Sequence, residues 1–317
     1  GSISTFVVPA DHAWTDIEPP TTQLPNVPTA RASDDTIAAV AQQLRDARNS
    51  GLFLGGRALR ADALYQAGRI AAATGCRLVT ETFFARQARG IGRVITERLA
   101  YFGEMAVEQL ADLDTVVLVG AKAPVSFFAY PDKPSVLWPA TASLATLVDV
   151  RIDALDALTR LADLLDAPAQ PVTASAQAAQ PLNHGKIDST ELGKVVANRL
   201  PEHAIVCDEG ATNSLATFLL TANAPAHDWL TLTGGAIGQG LPLAVGAAIA
   251  CPDRPVIALE ADGSGMYTVQ ALWTMVREQL DITVLLLNNR SYAILNIELA
   301  RVGVEAVRRM GWARYMG

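Results

Sequence analysis

The sequence has few residues of the kinds that build disulfide frameworks or histidine–cysteine metal sites. Its 317 residues include only three cysteines and four histidines. Cys76, Cys207 and Cys251 lie far apart and form no C-x-x-C pair. This spacing predicts reduced, structural thiols in a cytoplasmic protein. The histidines show no paired, closely spaced pattern, so we expect none of them to bind a metal.

Positive charge and long apolar runs are also scarce. The chain has 25 Lys and Arg against 32 Asp and Glu, which gives a net charge of −7. A nucleic-acid partner is not expected, because phosphate backbones are bound by clustered cations. No stretch reaches the roughly 18 apolar residues of a membrane span, and the apolar start, Ile3 to Pro9, is too short for a signal peptide. Hydrophobic residues still make up 50% of the chain, enough for two domains with large cores.

Strand and helix patterns alternate in two blocks of the chain, residues 34–166 and 187–317. Short apolar runs in each block are followed by segments whose apolar residues recur at helical spacing. This alternation is typical of parallel sheets with helices on both faces. The predicted fold class is therefore α/β, with two doubly wound parallel-sheet domains. The second block stops without a clear final strand, so we expect it to be truncated.

Two segments of linker composition flank the first block. Residues 16–33 are proline-rich, and residues 167–186 are rich in Ala, Gln and Pro. The apolar run Ile3–Val8 has the pattern of a buried strand, yet no neighbouring segment supplies a partner. We therefore predict that residues 1–15 are the last strand of a preceding domain that this chain lacks.

Two polar segments follow neighbouring predicted strands of the second block. Ala261-Asp262-Gly263-Ser264 follows one strand and Asn288-Asn289 follows the next. The carboxyl ends of parallel strands are where α/β sheets bind ligands. Asp262 and Asn289 offer oxygen ligands that suit Mg²⁺, and the N–H groups of a helix start can hold a diphosphate. A plain Asp-Gly turn and Asn-Asn loop are the alternative.

These segments resemble the cofactor motif of thiamine diphosphate (ThDP) enzymes. They look like the motif of acetolactate synthase large subunits, with features of benzoylformate decarboxylases, although Ala261 stands where the family motif usually has glycine. The resemblance implies Asp262, Asn289 and the Ser291 carbonyl as Mg²⁺ ligands. It also implies contacts from Gly263 and Ser264 to the diphosphate and from Tyr292 to the cofactor.

Two further loops resemble cofactor-binding segments of the same family. In the loop 232–242 the resemblance assigns the Gly235 carbonyl to the aminopyrimidine and Ile237 as an apolar support under a bent cofactor, with Ala236 between them. A helix-capping glycine loop is the alternative. The segment 208–214 resembles a loop near the diphosphate, or else forms a helix-capping cluster.

The first block resembles the central domain of this family, in which some relatives bind FAD or a CoA nucleotide. Gly55-Gly56 is no G-x-G-x-x-G fingerprint, and no acidic partner for a ribose follows at the expected spacing. We therefore expect a structural domain, with FAD possible but not supported.

The resemblance implies ThDP- and Mg²⁺-dependent decarboxylation of a 2-oxo acid, followed by carboligation as in acetolactate synthase. Val284–Asn289 favours that branch, whereas Tyr267 and Ala271–Thr274 resemble the simple decarboxylases. A non-catalytic ThDP-binding paralogue is a third alternative. The family implies a homodimer or homotetramer and an activating glutamate in the preceding pyrimidine-binding domain. No catalytic residue is therefore assigned in this chain, and the 317 residues alone are expected to be inactive.

Overall fold

Two five-stranded sheets with helices on their faces form the structure. It is a computed structural model that describes residues 7–16, 28–128, 133–183, 185 and 187–301. The α/β class predicted from the sequence is confirmed. The helices of the described residues are α1 (Ala10–Trp14), α2 (Asp34–Asp46), α3 (Ala61–Thr74), α4 (Gly103–Leu110), α5 (Ala154–Leu164), α6 (Ser189–Arg199), α7 (Leu215–Leu220), α8 (Gly240–Ala250), α9 (Asp262–Gly265), α10 (Ala271–Arg277) and α11 (Ala293–Arg301). The strands are β1 (Ser50–Leu54), β2 (Arg77–Thr80), β3 (Gln87–Arg89), β4 (Glu97–Arg98), β5 (Thr115–Val119), β6 (Ser143–Val148), β7 (Ile205–Glu209), β8 (His227–Thr231), β9 (Val256–Ala261) and β10 (Ile282–Leu287).

The first sheet has the order β4-β2-β1-β5-β6, and all its strands are parallel. Every residue of β1 and β5 is buried, because helices cover both faces of a parallel sheet. Side chains alternate along a strand, so Leu52 and Leu54 join the core under α2, α3 and α5, while Phe53 faces α4. The chain order reverses between β1 and β5, and this is the switch point of the first sheet.

The second sheet has the order β10-β9-β7-β8-β3, with its switch point between β7 and β9. Four of its strands are parallel, as predicted, but β3 pairs antiparallel with β8. β3 comes from the first block of the chain, so this sheet is mixed and takes its edge strand from across the predicted domain boundary. Arg86, next to β3, strengthens the join by an ion pair with Asp228 of β8 at 2.8 Å.

Polar side chains fix where several helices begin. Ser33 accepts a hydrogen bond from Thr36 N at the start of α2, and Asp153 and Asp188 do the same at α5 and α6. Such caps satisfy backbone N–H groups that have no partner inside the helix.

Two predicted strands differ from the structure. Most of Ile3–Val8 lies outside the described residues, but Val7 and Val8 are exposed and α1 follows them without a buried residue. The apolar residues of segment 135–138 also predict a strand, and this prediction is wrong, since only an isolated bridge joins Val125 and Val136. An apolar run forms a strand only where a partner strand lies beside it.

The predicted linker 167–186 contains no helix or strand in its described part. It nevertheless packs on the first unit, where Ala174 N donates to Arg93 O at 2.8 Å and Ala174 O accepts from Gly92 N at 2.9 Å. In the described part of the chain, no helix is both long enough and apolar enough to cross a membrane.

Candidate functional site

The carboxyl edge of the second sheet brings the two predicted motifs together. β9 and β10 pair in parallel with Ala261 opposite Leu287, so the chains leave the sheet side by side. Arg290 N donates to Asp262 Oδ2 at 3.2 Å and to Asn288 Oδ1 at 3.1 Å. The Asp262 carboxylate therefore lies against the turn that carries the two asparagines.

The turn 288–291 is held by its own polar groups. Asn289 Oδ1 accepts from Ser291 N at 2.9 Å, and Ser291 O accepts from Ala293 N at 2.8 Å. A carbonyl oxygen has two lone pairs, so each of these bonds leaves one for a cation. Arg290 takes a φ of 52°, which turns the chain at this point. The donor set of one carboxylate and two carbonyl oxygens fits Mg²⁺, and the described residues contain no cluster of three or more His, Cys, Asp or Glu for another metal.

Gly263 and Ser264 face opposite ways. A Cβ atom at Gly263 would meet nothing within 4 Å, so the backbone there borders open space. Ser264 is buried, and its Oγ donates to Glu260 Oε1 at 2.8 Å. Only the backbone of Ser264, and not its hydroxyl, is thus available to a ligand on the open side.

Tyr292 lies close to this edge as well. Burial, together with the neighbouring Tyr267, raises the pKa of the Tyr292 hydroxyl. Tyr267 follows α9, so this contact connects the start of α11 to the segment after Asp262.

The glycine loop, which we define as residues 233–239, has a backbone that only glycine adopts easily. Gly234, Gly235 and Gly238 have φ values of 69°, 67° and 89°. A Cβ atom at Gly235 would lie 2.7 Å from the ring of Phe127, so the loop also packs against the first unit. Ala236 and Ile237 are exposed, with 38% of Ile237 accessible. The side chain of Ile237 therefore lies on an open face of the loop, and its role as an apolar support stays a prediction.

The sequence analysis missed Glu260 and noted Glu209 only as part of the segment 208–214. They pair in register at the ends of β7 and β9, at the switch point, and each is only 1% exposed. Glu209 Oε1 accepts from Gly238 N, and its Oε2 accepts from Gly240 N. A glutamate near the end of a strand that begins with apolar residues is the signal that could have found both.

The two carboxyls lie close enough to affect each other's protonation. Burial, reinforced by the charge of Glu209, raises the pKa of Glu260 to about 8. Burial also raises the pKa of Glu209, while the N–H groups of Gly240 and Gly238 lower it. Among the described residues Glu260 Oε2 has no other partner, and a proton donated from it to Glu209 satisfies both groups.

The segment 208–214 begins in the protein interior, at the end of β7. Asp208 accepts from Trp229 Nε1 at 3.1 Å and from Gly210 N at 3.1 Å, both in the interior. Ser214, which precedes α7, makes no capping hydrogen bond with its side chain. The capping alternative therefore finds no support at this helix.

The geometry defines an α/β domain that presents a carboxylate, two carbonyl oxygens and an open glycine backbone at the carboxyl edge of its sheet. Residues 208–308 match the family model for the C-terminal TPP binding domain of thiamine pyrophosphate enzymes.

Known relatives agree with that match. Over 301 residues the chain is 46% identical to IlvX of Mycobacterium tuberculosis, described as an acetolactate synthase large subunit, covering 95% of this chain and 58% of that protein. An alpha-keto-acid decarboxylase of Mycobacterium avium is 31% identical over 131 residues, 40% of this chain and 22% of that one. A 4-hydroxybenzoylformate decarboxylase of Rhodococcus jostii has the same fold, with a TM-score of 0.71 at 24% identity over 90% of this chain and 56% of that one.

Residues 208–308 therefore match the C-terminal TPP binding domain of thiamine pyrophosphate enzymes, and the chain is similar to acetolactate synthase large subunits. The resemblance stated from the sequence is confirmed at this level. The chain spans 58% of the length of its M. tuberculosis relative.

Proposed function

We propose that this chain forms the ThDP- and Mg²⁺-binding part of an enzyme that decarboxylates a 2-oxo acid and joins the product to a second carbonyl compound. The supporting observation is the contact of Asp262 with the turn 288–290 at the edge of the second sheet. The similarity to an acetolactate synthase large subunit supports the carboligation step.

In this proposal Asp262, Asn289 and the Ser291 carbonyl hold the Mg²⁺. Mg²⁺ keeps several positions for phosphate and water oxygens and needs few protein ligands. Gly263 and Ser264 contribute backbone to the diphosphate, because the Gly263 side of α9 is open. The bound cofactor supplies the electron-accepting ring that decarboxylation requires.

The glycine loop holds the other end of the cofactor. The Gly235 carbonyl accepts from the aminopyrimidine, Ala236 adjoins it, and Ile237 contributes an exposed apolar side chain. Tyr292 adjoins the diphosphate end. An apolar surface at Ile237 also excludes water from that side, which strengthens electrostatic interactions nearby.

A simple 2-oxo-acid decarboxylase is the second candidate. It is favoured by Tyr267 and Ala271–Thr274 and by the relative described as an alpha-keto-acid decarboxylase. Product analysis with pyruvate separates the candidates: acetolactate supports the first, free aldehyde the second, and no product a non-catalytic paralogue.

The proposed protein is a cytoplasmic homo-oligomer, a homodimer or homotetramer. Its three cysteines are unpaired, as expected in a reducing compartment. Large apolar side chains along and before α10 are exposed, including Met266, Trp273 and Val276. Exposed apolar side chains of this size are typical of a protein interface, and we propose that a second copy covers them.

Titration of ThDP into the full-length protein with Mg²⁺, followed by calorimetry, tests the metal assignment. Asp262→Ala removes the carboxylate ligand and should weaken binding at least tenfold, or about 1.4 kcal/mol. Asp281→Ala is the matched control, because Asp281 is exposed at the opposite end of β10. Equal ThDP affinity in Asp262→Ala and the wild type would overturn the assignment.

A further inference from the structure

We propose that Glu209 is a positioning residue for the cofactor: its buried carboxylate holds the glycine loop so that Gly235 and Ile237 face the cofactor side. The consequence for ThDP rests on the proposed function. We call the hydrogen bonds from Gly238 N and Gly240 N to the Glu209 carboxylate the clasp. The clasp lies within this chain and can be tested without the cofactor.

The clasp has two arms, one from each carboxylate oxygen. Oε1 accepts from Gly238 N and Oε2 accepts from Gly240 N, and the N–H of Gln239 also faces the carboxylate. Successive backbone N–H groups of this kind form a concavity that attracts anions. In many proteins an external phosphate fills such a concavity, whereas here a side chain from the central strand β7 does so.

One of these N–H groups, that of Gly240, is the first of α8, a helix of 11 residues. The first N–H groups of a helix lack partners inside it, and its positive end favours an anion. No side chain caps α8 from its own N-cap position, Gln239. Glu209 therefore satisfies the helix start and ties it to the middle of the sheet.

The glycines at both arms are required by the close approach. A Cβ atom at Gly240 would lie 2.6 Å from Glu209 Oε2 and closer still to Glu260 Oε2. A Cβ atom at Gly238 would lie 2.8 Å from Tyr267 Cβ, and its φ is 89°. No larger residue allows the carboxylate to reach both N–H groups.

The other hydrogen bonds of the glycine loop do not use the backbone N–H groups of Gly238 and Gly240, so Glu209 is what holds these two groups. Gln239 Oε1 accepts from Thr233 N at 3.1 Å and from Thr233 Oγ1 at 3.0 Å, which closes the loop on itself. Gly238 O accepts from Thr268 Oγ1 at 2.9 Å, which ties its acceptor side to the segment after α9. Ile237 lies between these attachments, so its exposed position follows from them.

Hydrogen exchange of the wild-type protein without ThDP tests the clasp directly. The amides of Gly238 and Gly240 should be protected as strongly as neighbouring amides of β7. Free exchange of these two amides would overturn the proposal before any variant is made.

Glu209→Gln then tests the consequence. Glutamine keeps the size of the side chain but places an amide N–H₂ against a backbone donor, so one arm is lost. We expect faster exchange over residues 238–240 and ThDP binding weakened about tenfold. Glu191→Gln is the matched control, since Glu191 is also buried and accepts from Asn183 N at 2.8 Å, far from the loop.

The outcomes separate this proposal from the proposed function. If the wild type binds no ThDP, the proposed function fails. If the wild type binds ThDP and the folded Glu209→Gln protein binds it equally well, Glu209 is only a core residue and this proposal is overturned. Should Glu209→Gln not fold, Glu209→Asp decides, because it keeps two acceptors but is one methylene shorter: wild-type exchange and affinity in that variant overturn the proposal, and weakened binding supports it.

Discussion

The switch points of the two sheets differ in what fills them. In the first sheet Gly55 and Gly120 follow β1 and β5, and a Cβ atom at Gly120 would lie 2.7 Å from Gly55 O. Glu81 closes the remaining gap, with its Oε2 at 2.7 Å from a Cβ position on Gly55. In the second sheet, Glu209 turns beneath the glycine loop and the backbone at Gly263 stays open. The same architecture is therefore closed in one unit and accessible in the other.

A glutamate lies at both switch points, half-buried at Glu81 and buried at Glu209, so the position of its carboxyl group decides whether the crevice stays open. Burial raises the pKa of Glu81, and the carboxyl lies in the crevice, where a phosphate would have to bind. Glu209 has its charge compensated by the N–H groups of Gly238 and Gly240 and leaves the edge to Asp262. Fold alone thus does not make a site, and the polar groups at its edge do.

The largest change in stability that tests this comparison is expected from a substitution of Gly240. Gly240→Ala places a methyl group against Glu209 and Glu260, so we expect a loss of unfolding free energy of about 3 kcal/mol. Gly246→Ala on the same helix meets nothing within 4 Å and should stabilise by roughly 0.5–1 kcal/mol. Urea denaturation of both variants measures the difference. Equal unfolding free energies of the two variants would mean that a methyl group fits beside Glu209 and Glu260, contrary to the close distances in the structure.

Acid should weaken the second sheet first, because none of the histidines lies in the strands of the first sheet. Burial lowers the pKa of His227 to about 4 from 6.5, so the unfolded chain takes up a proton that the folded protein refuses. Stability is thus full above about pH 6.5 and is lost as the pH falls toward 4. The expected loss between pH 7 and pH 5 is about 2 kcal/mol.

Denaturation of His227→Gln at both pH values measures this contribution. The variant should lack this part of the pH dependence, whereas His203→Gln should keep it, because His203 is exposed. An unchanged pH dependence in His227→Gln would show that other groups cause the acid loss.

The sequence predicted those parts of the site that depend on local pattern. The apolar run 282–287 predicts a strand with these bounds, and β10 has them. Parallel pairing with β9 then brings Asp262 to the turn after Leu287. Periodicity is a property of one segment, so one segment suffices to detect it. That Asp262 and Asn289 bind Mg²⁺ remains a prediction.

Contacts between distant segments could not be predicted in this way. β3 has only three residues, too few to show alternation, and its place at the second sheet depends on pairing with β8. The clasp of Glu209 on Gly238 and Gly240 joins residues about thirty positions apart, and its carboxylate is recognisable only once β7 is seen to be central.

A smaller effect is expected at Ile237, the exposed apolar residue of the open crevice. Ile237→Ala should lower turnover of the full-length enzyme about fivefold, or about 1 kcal/mol, because the apolar support under the cofactor shrinks. Its melting temperature should change little, since the side chain is already 38% exposed. Ile249→Ala, exposed at the end of α8, is the control. Unchanged turnover with a sharply lower melting temperature would make Ile237 a core residue.

No effect at all is expected when FAD is added to the protein, although the switch point of the first sheet, between Gly55 and Gly120, is where a nucleotide would bind. A ligand at a hundred times its dissociation constant stabilises a protein by about 2.7 kcal/mol, so ThDP with Mg²⁺ should raise the melting temperature clearly. FAD should not, because Gly55 and Gly120 lie too close for a diphosphate to enter and the Glu81 carboxyl opposes it. Thermal denaturation with each ligand, and absorbance of the purified protein for a flavin, measure both. A clear rise with FAD would mean that the first crevice opens to a ligand, and the two sheets would then be alike in binding ligands.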